Sequence, residues 1–470
     1  EHQQLNTQDQ TMIRQGVRKF SSVAEARFPM SVSKAAATEV TELANGLRVA
    51  SEGGHGETAT VGVWIDAGSR YETAKNNGAA HFLEHMAFKG TSKRTQERLE
   101  VEIENMGGHL NAYTSREQTV YYAQCFKNDI PQAVDILSDI LQNSLLDPAA
   151  IERERGVILR EMEEVEKSQE EVVFDRLHET AYQGCGLART ILGPKENIQS
   201  LTQDDLSAYI NTHYTAPRMV VAGAGAVDHA QLAQLAEGAF GNLPSTPAAG
   251  LVVPNDPVTF VGSDVRVRMD DMPLAHIALA VESGSWTSEH AFPLMVMQQL
   301  LGTWDRTGGA GANQASKLTQ TVAELELAHS VSSFNTCYKD TGLFGVYSVC
   351  EPHKVQDLMW YTLEAMVRLV HDVTEEEVER AKGQLKAQLM MSLDGSANTC
   401  EDIGRQMLTY GRRLTPAEIF VRIDNTDLAS VKAAANTYIN DQDPVASAIG
   451  PVHEMPDYNW LRRRTYWLRY

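Results

Sequence analysis

Cysteine is scarce in this chain. The five residues among 470, Cys125, Cys185, Cys337, Cys350 and Cys400, are odd in number, far apart and contain no CxxC pair. That excludes a disulfide framework and a cysteine metal site as expectations, and the thiols read as buried structural groups in a reducing compartment. Long apolar runs are also missing: no stretch approaches the ~18 residues that a membrane-crossing helix needs, so no transmembrane segment is expected. Positive charge is in deficit, with Lys+Arg 41 against Asp+Glu 62 and a net charge of −21. This argues against a general nucleic-acid binder, whose footprint is basic. It suits a basic partner or substrate, and equally plain solubility. Phosphate-binding loops are absent too. Gly223-Ala224-Gly225 lacks a third spaced glycine, and Gly308-Gly309-Ala310-Gly311 lacks a following Lys-Ser/Thr.

What is there is an order of elements used twice. Ala59–Asp66 alternates like a strand and ends at Ala67-Gly68-Ser69; a helix is expected from Ala79 to Phe88, opened by Asn76-Asn77 and closed at Gly90. Leu110–Phe126 reads as two strands around Thr114–Glu117, Ile130–Leu146 as an amphipathic helix, and Asp147-Pro148 as the start of one long charged helix toward Tyr182. In the second half, Glu282–Trp286 echoes Asp66–Arg70, Gly345–Cys350 echoes Val120–Cys125, and Val445–Gly450 echoes Met219–Gly225. The chain length suits two domains. The expected fold class is α+β: two homologous mixed α/β domains related by internal duplication. The expected boundaries are an N-terminal extension at 1–40, a first domain at 41–243, a Pro-rich linker at 244–258 and a second domain at 259–470. The extension is basic and Ser-containing around Ile13–Ser22, faintly like an organellar transit sequence, and begins at Glu1 as a processed chain would.

The chemistry centres on His81-Phe82-Leu83-Glu84-His85. Histidines at i and i+4 share one helical face, so both imidazoles can bind one Zn²⁺, and Glu84 stands beside them as a base for bound water. A catalytic zinc needs a third protein ligand. The charged helix after Pro148 offers Glu154, Glu161, Glu163 and Glu164, among which spacing does not choose. The counterparts of His81, Glu84 and His85 in the second half are Met297, Leu300 and Leu301, so only the first half can hold metal. His109, His178 and His213 are isolated and read as surface or satisfied core residues.

The segments AAHFLEHMAFKGT, GGHLNAYTSREQTVYYA, RGVILREMEEVE, VVFDRLHETAY, RTILGPKENI and DYNWLRRRTYW together resemble the pitrilysin family of zinc peptidases. Within it they are similar to the catalytic, β-type subunits of mitochondrial processing peptidases, over about residues 40–470. The resemblance implies His81, His85 and Glu161 as zinc ligands, Glu84 as the base and Glu154 as a carboxylate orienting a ligand. It implies substrate contacts at Phe88 for the P1′ side chain, at Asn111-Ala112-Tyr113 as an edge strand pairing with the peptide, and at Glu171 and Asp175 for an arginine at P2. Glu171 and Asp175, four apart on the helix expected to carry Glu161, can face one guanidinium. Tyr338 and Lys339 lie where relatives place groups that polarise the scissile carbonyl. The implied activity is removal of basic presequences on the matrix side of the mitochondrial inner membrane, in a heterodimer with a non-catalytic α subunit. The implied second role is as a core subunit of ubiquinol–cytochrome c reductase. The rival expectations are a purely structural core subunit and a stand-alone bacterial-type peptidase.

Overall fold

A computed structural model describes residues 36–309 and 311–466. The expectation for the N-terminal extension therefore falls, for residues 1–35, outside the described residues. Twelve strands form two six-stranded sheets among the described residues. The first contains β1 (Glu39–Glu42), β2 (Arg48–Gly53), β3 (Thr58–Ile65), β4 (His109–Thr114), β5 (Thr119–Phe126) and β6 (Met219–Gly225), in the order β1-β2-β6-β3-β5-β4. The second contains β7 (Asp264–Arg268), β8 (Ala275–Ser283), β9 (Thr303–Asp305), β10 (Ser330–Cys337), β11 (Gly342–Cys350) and β12 (Pro444–Gly450), in the order β7-β12-β8-β11-β10-β9. Each sheet has a single parallel pair, β2 with β6 and β7 with β12, and the other neighbours run antiparallel. The duplication read from the sequence is thus a duplication of topology. Residues 241–263, between the sheets, hold no helix or strand.

Six helices position the site: α1 (Ala79–Met86), α2 (Ile130–Gln142), α3 (Pro148–Val165), α4 (Gln169–Ala181), α5 (Ala291–Leu301) and α6 (Ser396–Thr409). α1, α2 and α3 cover one face of the first sheet, where Phe82, Met86, Ile136, Ile140 and Ile158 share a core with Val61, Val63 and Tyr121. Two expectations need correction. The helix from Ile130 stops at Gln142 rather than Leu146, because the chain turns through Leu146 at φ 45 to reach Asp147. More consequentially, the long charged helix is two: α3 ends at Val165 and α4 restarts at Gln169 after a turn closed by Ser168 N donating to Val165 O.

That break lets the halves exchange helices. α4 leaves its own half and lays Val173, Leu177 and Ala181 on Ala278, Ala280, Leu343 and Val445 of the second sheet. α6, from the second half, returns Cys400, Ile403 and Met407 to Trp64, Val120, Val220 and Ala222 of the first. Each sheet therefore owes the cover of one apolar face to the other half, and the sequence boundaries at 243 and 259 do not separate two independently covered cores. His178 on α4 is buried, its Nδ1 2.7 Å from Phe174 O and its Nε2 2.7 Å from the Tyr338 hydroxyl, which bolts α4 to the second half.

α6 fits closely because Gly404 has no side chain: a Cβ there would lie 2.1 Å from Cδ2 of Trp64. Gly404→Ala should destabilise the protein by about 1–3 kcal/mol, the usual cost of overpacking. Gly383→Ala, in a helix with nothing within 4 Å of the added methyl, should be neutral or stabilise by up to about 1 kcal/mol. Denaturant midpoints of the two variants check this, and equal midpoints would contradict the tight packing.

Candidate metal centre

α1 is eight residues long and depends on its surroundings for its position. It starts at Ala79 as expected, but its N-cap is Gly78, at φ 102, rather than the pair Asn76-Asn77, and it ends at Met86 rather than Phe88. A side chain at Gly78 would meet Ile198 Cδ1 at 2.7 Å and Leu192 O at 2.9 Å. The end is held by Glu72, fully buried, whose carboxylate accepts from Gly78 N at 2.9 Å, Ala80 N at 2.7 Å and Asn77 Nδ2 at 2.7 Å. A carboxylate at a helix N-terminus satisfies otherwise orphaned N–H groups and suits the dipole. No periodic signal in the sequence marks Glu72 for this role.

On this fixed helix His81 and His85 lie one turn apart and meet edge to face, ring centroids 4.8 Å from each other. α3 crosses beside them and delivers Glu161. His81 Nε2 lies 3.5 Å from Glu161 Oε1, and His85 Nε2 lies 3.0 Å from Oε2. One ligand atom from each of the three side chains falls within 4.8 Å of the others, and among the described residues this is the one His/Cys/Asp/Glu group so arranged. A tetrahedral ion with bonds of about 2.0–2.1 Å sets its donors ~3.4 Å apart, so a His₂Glu set at these separations fits a divalent cation.

The electrostatics ask for a cation. Burial alone would lower the His85 pKa, but Glu161, Glu84 and Glu154 outweigh it and the imidazole is raised above its ordinary value. Glu161 is held well below the usual carboxylate range by hydrogen bonds from His81 and His85. Glu154, buried, places Oε2 3.6 Å from His85 Nδ1 and takes Lys89 Nζ on Oε1 at 2.9 Å. It thus faces the ring nitrogen turned away from Glu161, and Lys89 balances its charge. Lys89 went unrecognised in the sequence, although it follows His85 by four. Glu84 is half-buried on α1.

The other expected residues divide. Phe88 is half-buried against the first core, just past α1. Asn111, Ala112 and Tyr113 lie on β4, the edge strand of the first sheet, which packs beside α1. In the second half the corresponding strand, β10, has its edge partly occupied by β9 through Ser330–Ser332. Glu171 and Asp175 do not share Glu161's helix: they lie on α4, beyond the break. Glu171 is exposed, whereas Asp175 is engaged by Arg116 Nη2 at 2.6 Å and Thr190 Oγ1 at 3.0 Å. The hydroxyl of Tyr338 is committed to His178, and Lys339 is exposed. Met297 and Leu301 of α5, standing where the first half has histidines, are buried in the second core.

Comparison with known proteins follows the same division. The family model for insulinase-type peptidases, M16, matches residues 48–195, and the M16 inactive-domain model matches residues 200–385. The chain is 54% identical to the mitochondrial-processing peptidase subunit beta of Bos taurus, covering 96% of this chain and 92% of that protein. It is also 54% identical to the subunit of that name from Blastocladiella emersonii, covering 97% and 98%. Among solved structures it resembles a chain of complex III2 from Candida albicans, bound to Inz-5. The TM-score there is 0.82 at 26% identity, covering 92% of this chain and all of that one.

Glu154 stands outside the donor triangle with Oε2 3.6 Å from His85 Nδ1, so Glu154→Gln should weaken divalent-metal binding by about 10–100-fold without abolishing it. Competition against a chromophoric chelator measures this; an unchanged Kd would show that the carboxylate has no hold on the ligand.

Proposed function

The chain belongs to peptidase family M16, a family of metallopeptidases, and on that premise we propose that it is the zinc-bearing subunit of a mitochondrial presequence peptidase. It works in the matrix beside a non-catalytic α subunit and cuts basic N-terminal presequences from imported precursors. The observation that carries this reading is the His81–His85–Glu161 triangle with Glu84 on the same helix.

His81, His85 and Glu161 would hold zinc, and Glu154 would orient His85. Bound zinc supplies positive charge that lowers the pKa of water and polarises a peptide carbonyl. Glu84 takes the proton from the attacking water and returns it to the leaving amine. The substrate backbone adds to the open edge of β4 at Asn111–Tyr113, a mode that reads extended peptides by main-chain hydrogen bonds. Phe88 borders the P1′ side chain. Glu171 and Asp175 receive the P2 arginine, with Arg116 fixing the second carboxylate in place. The acidic balance of the chain favours encounter with such peptides.

A second role as a core subunit of the cytochrome bc complex is favoured by the likeness to a complex III2 chain. Neither role excludes the other.

Two outcomes are expected. The assembly of this chain with its α partner should cleave a presequence peptide. Glu84→Gln should reduce kcat by at least about 100-fold while metal content, read by mass spectrometry, stays the same; retained turnover would remove Glu84 from the chemistry. In mild detergent the native protein should migrate with b- and c-type haem on blue-native gels, whereas migration wholly apart from haem would discount the core-subunit role.

A further inference from the structure

On the face of the first sheet turned away from α1, a cavity of about 210 Å³ is lined by Trp64, Tyr113, Tyr122, Ala397, Asn398 and Glu401. Gly62, on the same strand as Trp64, lets two of its walls close up: a Cβ there would lie 2.7 Å from Tyr122 Cβ and 2.8 Å from Trp64 Cζ3. The aromatic groups come from three neighbouring strands and Glu401 from α6, so the exchange of helices builds the pocket.

Glu401 is half-buried and its two oxygens are separately fixed. Tyr113 OH donates to Oε1 at 2.6 Å, and Trp64 Nε1 donates to Oε2 at 3.1 Å. Both donors are neutral, and each carboxylate oxygen retains capacity for another hydrogen bond. Among the described residues no cation pairs with Glu401. Arg405, one turn along α6, lies instead over the Trp286 ring at 5.4 Å and near Asp402 at 3.5 Å. An aromatic-walled pocket ending in an oriented carboxylate without a paired cation attracts a cation through both the ring faces and the charge.

We propose that this pocket is a subsite for a basic side chain, arginine or lysine, of the peptide that pairs with β4. Tyr113 belongs to that edge strand, and a strand added beside β4 would turn every second side chain toward the face of Tyr113 and Glu401. The inference rests on the proposed peptide-binding reading and adds a second point of basic recognition, on the opposite side of the first sheet's edge from α1.

The test is equilibrium binding to the full metal-free chain, by fluorescence anisotropy. The probes are a labelled extended peptide with a single arginine moved position by position, each compared with its citrulline counterpart, which is neutral and of the same shape. The unaltered chain should prefer arginine about 10-fold at a position served by this pocket. Glu401→Gln should erase that preference there while leaving preferences at other positions. Asn398→Lys, whose ammonium can fill the pocket from its exposed rim with the Trp64 and Tyr113 bonds left in place, should do the same. Survival of every preference in both variants overturns the proposal. So does an equal loss for arginine and citrulline peptides, or no preference in the unaltered chain. An assembly that keeps the position-specific preference but cleaves nothing when loaded with zinc would sink the peptidase reading and leave the subsite standing.

Discussion

The approach of Glu161 to two imidazoles is the contact on which the arrangement turns. It joins α1 to α3, and it does so with groups that do not stabilise one another cheaply. Four carboxylates, Glu84, Glu154, Glu161 and the buried Glu72, stand on or beside one eight-residue helix. Burying charge costs free energy unless hydrogen bonds or counter-charges offset it. Glu72 is satisfied by three N–H donors and Glu154 by Lys89, while the partly exposed Glu161 pairs, among the described residues, with the two histidines. The same carboxylates, Glu161, Glu84 and Glu154, raise the pKa of His85 above its ordinary value against the effect of burial.

The duplicated topology explains what the second half is for. Its sheet has the same order and the same single parallel pair, yet α5 presents Met297 and Leu301 to a core instead of histidines to a cleft. β9 occupies part of the edge that β4 leaves open in the first half. Freed from holding metal, this half contributes α6, without which Trp64 and Val120 would lose their apolar cover, and it receives α4 in return. The exchange makes the inert half a structural requirement of the reactive one.

Legibility in the sequence followed the range of the interactions. The HFLEH face was readable because i and i+4 on a helix are neighbours whatever the rest of the fold does. The strand pairs around Thr114–Glu117 were readable for the same local reason. Spacing did not choose among Glu154, Glu161, Glu163 and Glu164, because that choice is made by how α3 crosses α1, a tertiary fact. The break at 166–168 carries neither glycine nor proline; its one local mark is Ser168, the N-cap of α4, with Glu171 three residues on, a start signal set inside an otherwise continuous charged run. Missing the break placed Glu171 and Asp175 on the wrong helix and concealed that α4 belongs, by packing, to the other sheet. Arg116 as the partner of Asp175, and Glu72 as the cap of α1, are contacts between residues with no periodic relation.

The turn between β4 and β5 shows how the halves are kept in register at the edge that matters. Arg116 reaches α4 through Asp175, while Glu117 accepts from Arg70 Nη1 at 2.5 Å and from the backbone N–H of Lys339 at 3.1 Å. Arg70 continues to Asp340 of the second half, at 2.8 and 2.5 Å. Arg70 and Arg116 are buried, and so is Glu117, where loss of one partner leaves an uncompensated charge, so the turn has little freedom to shift. Close by, burial holds His178 well below the ordinary imidazole value, with Arg116 adding to the effect, so the ring stays neutral and Nε2 accepts from Tyr338. Charged hydrogen bonds thus converge on Arg116 and Glu117, in the turn at the end of β4. An edge strand reads a peptide's backbone only if its own position is fixed against the metal helix beside it. This turn supplies that fixity by anchoring β4 to both halves at once.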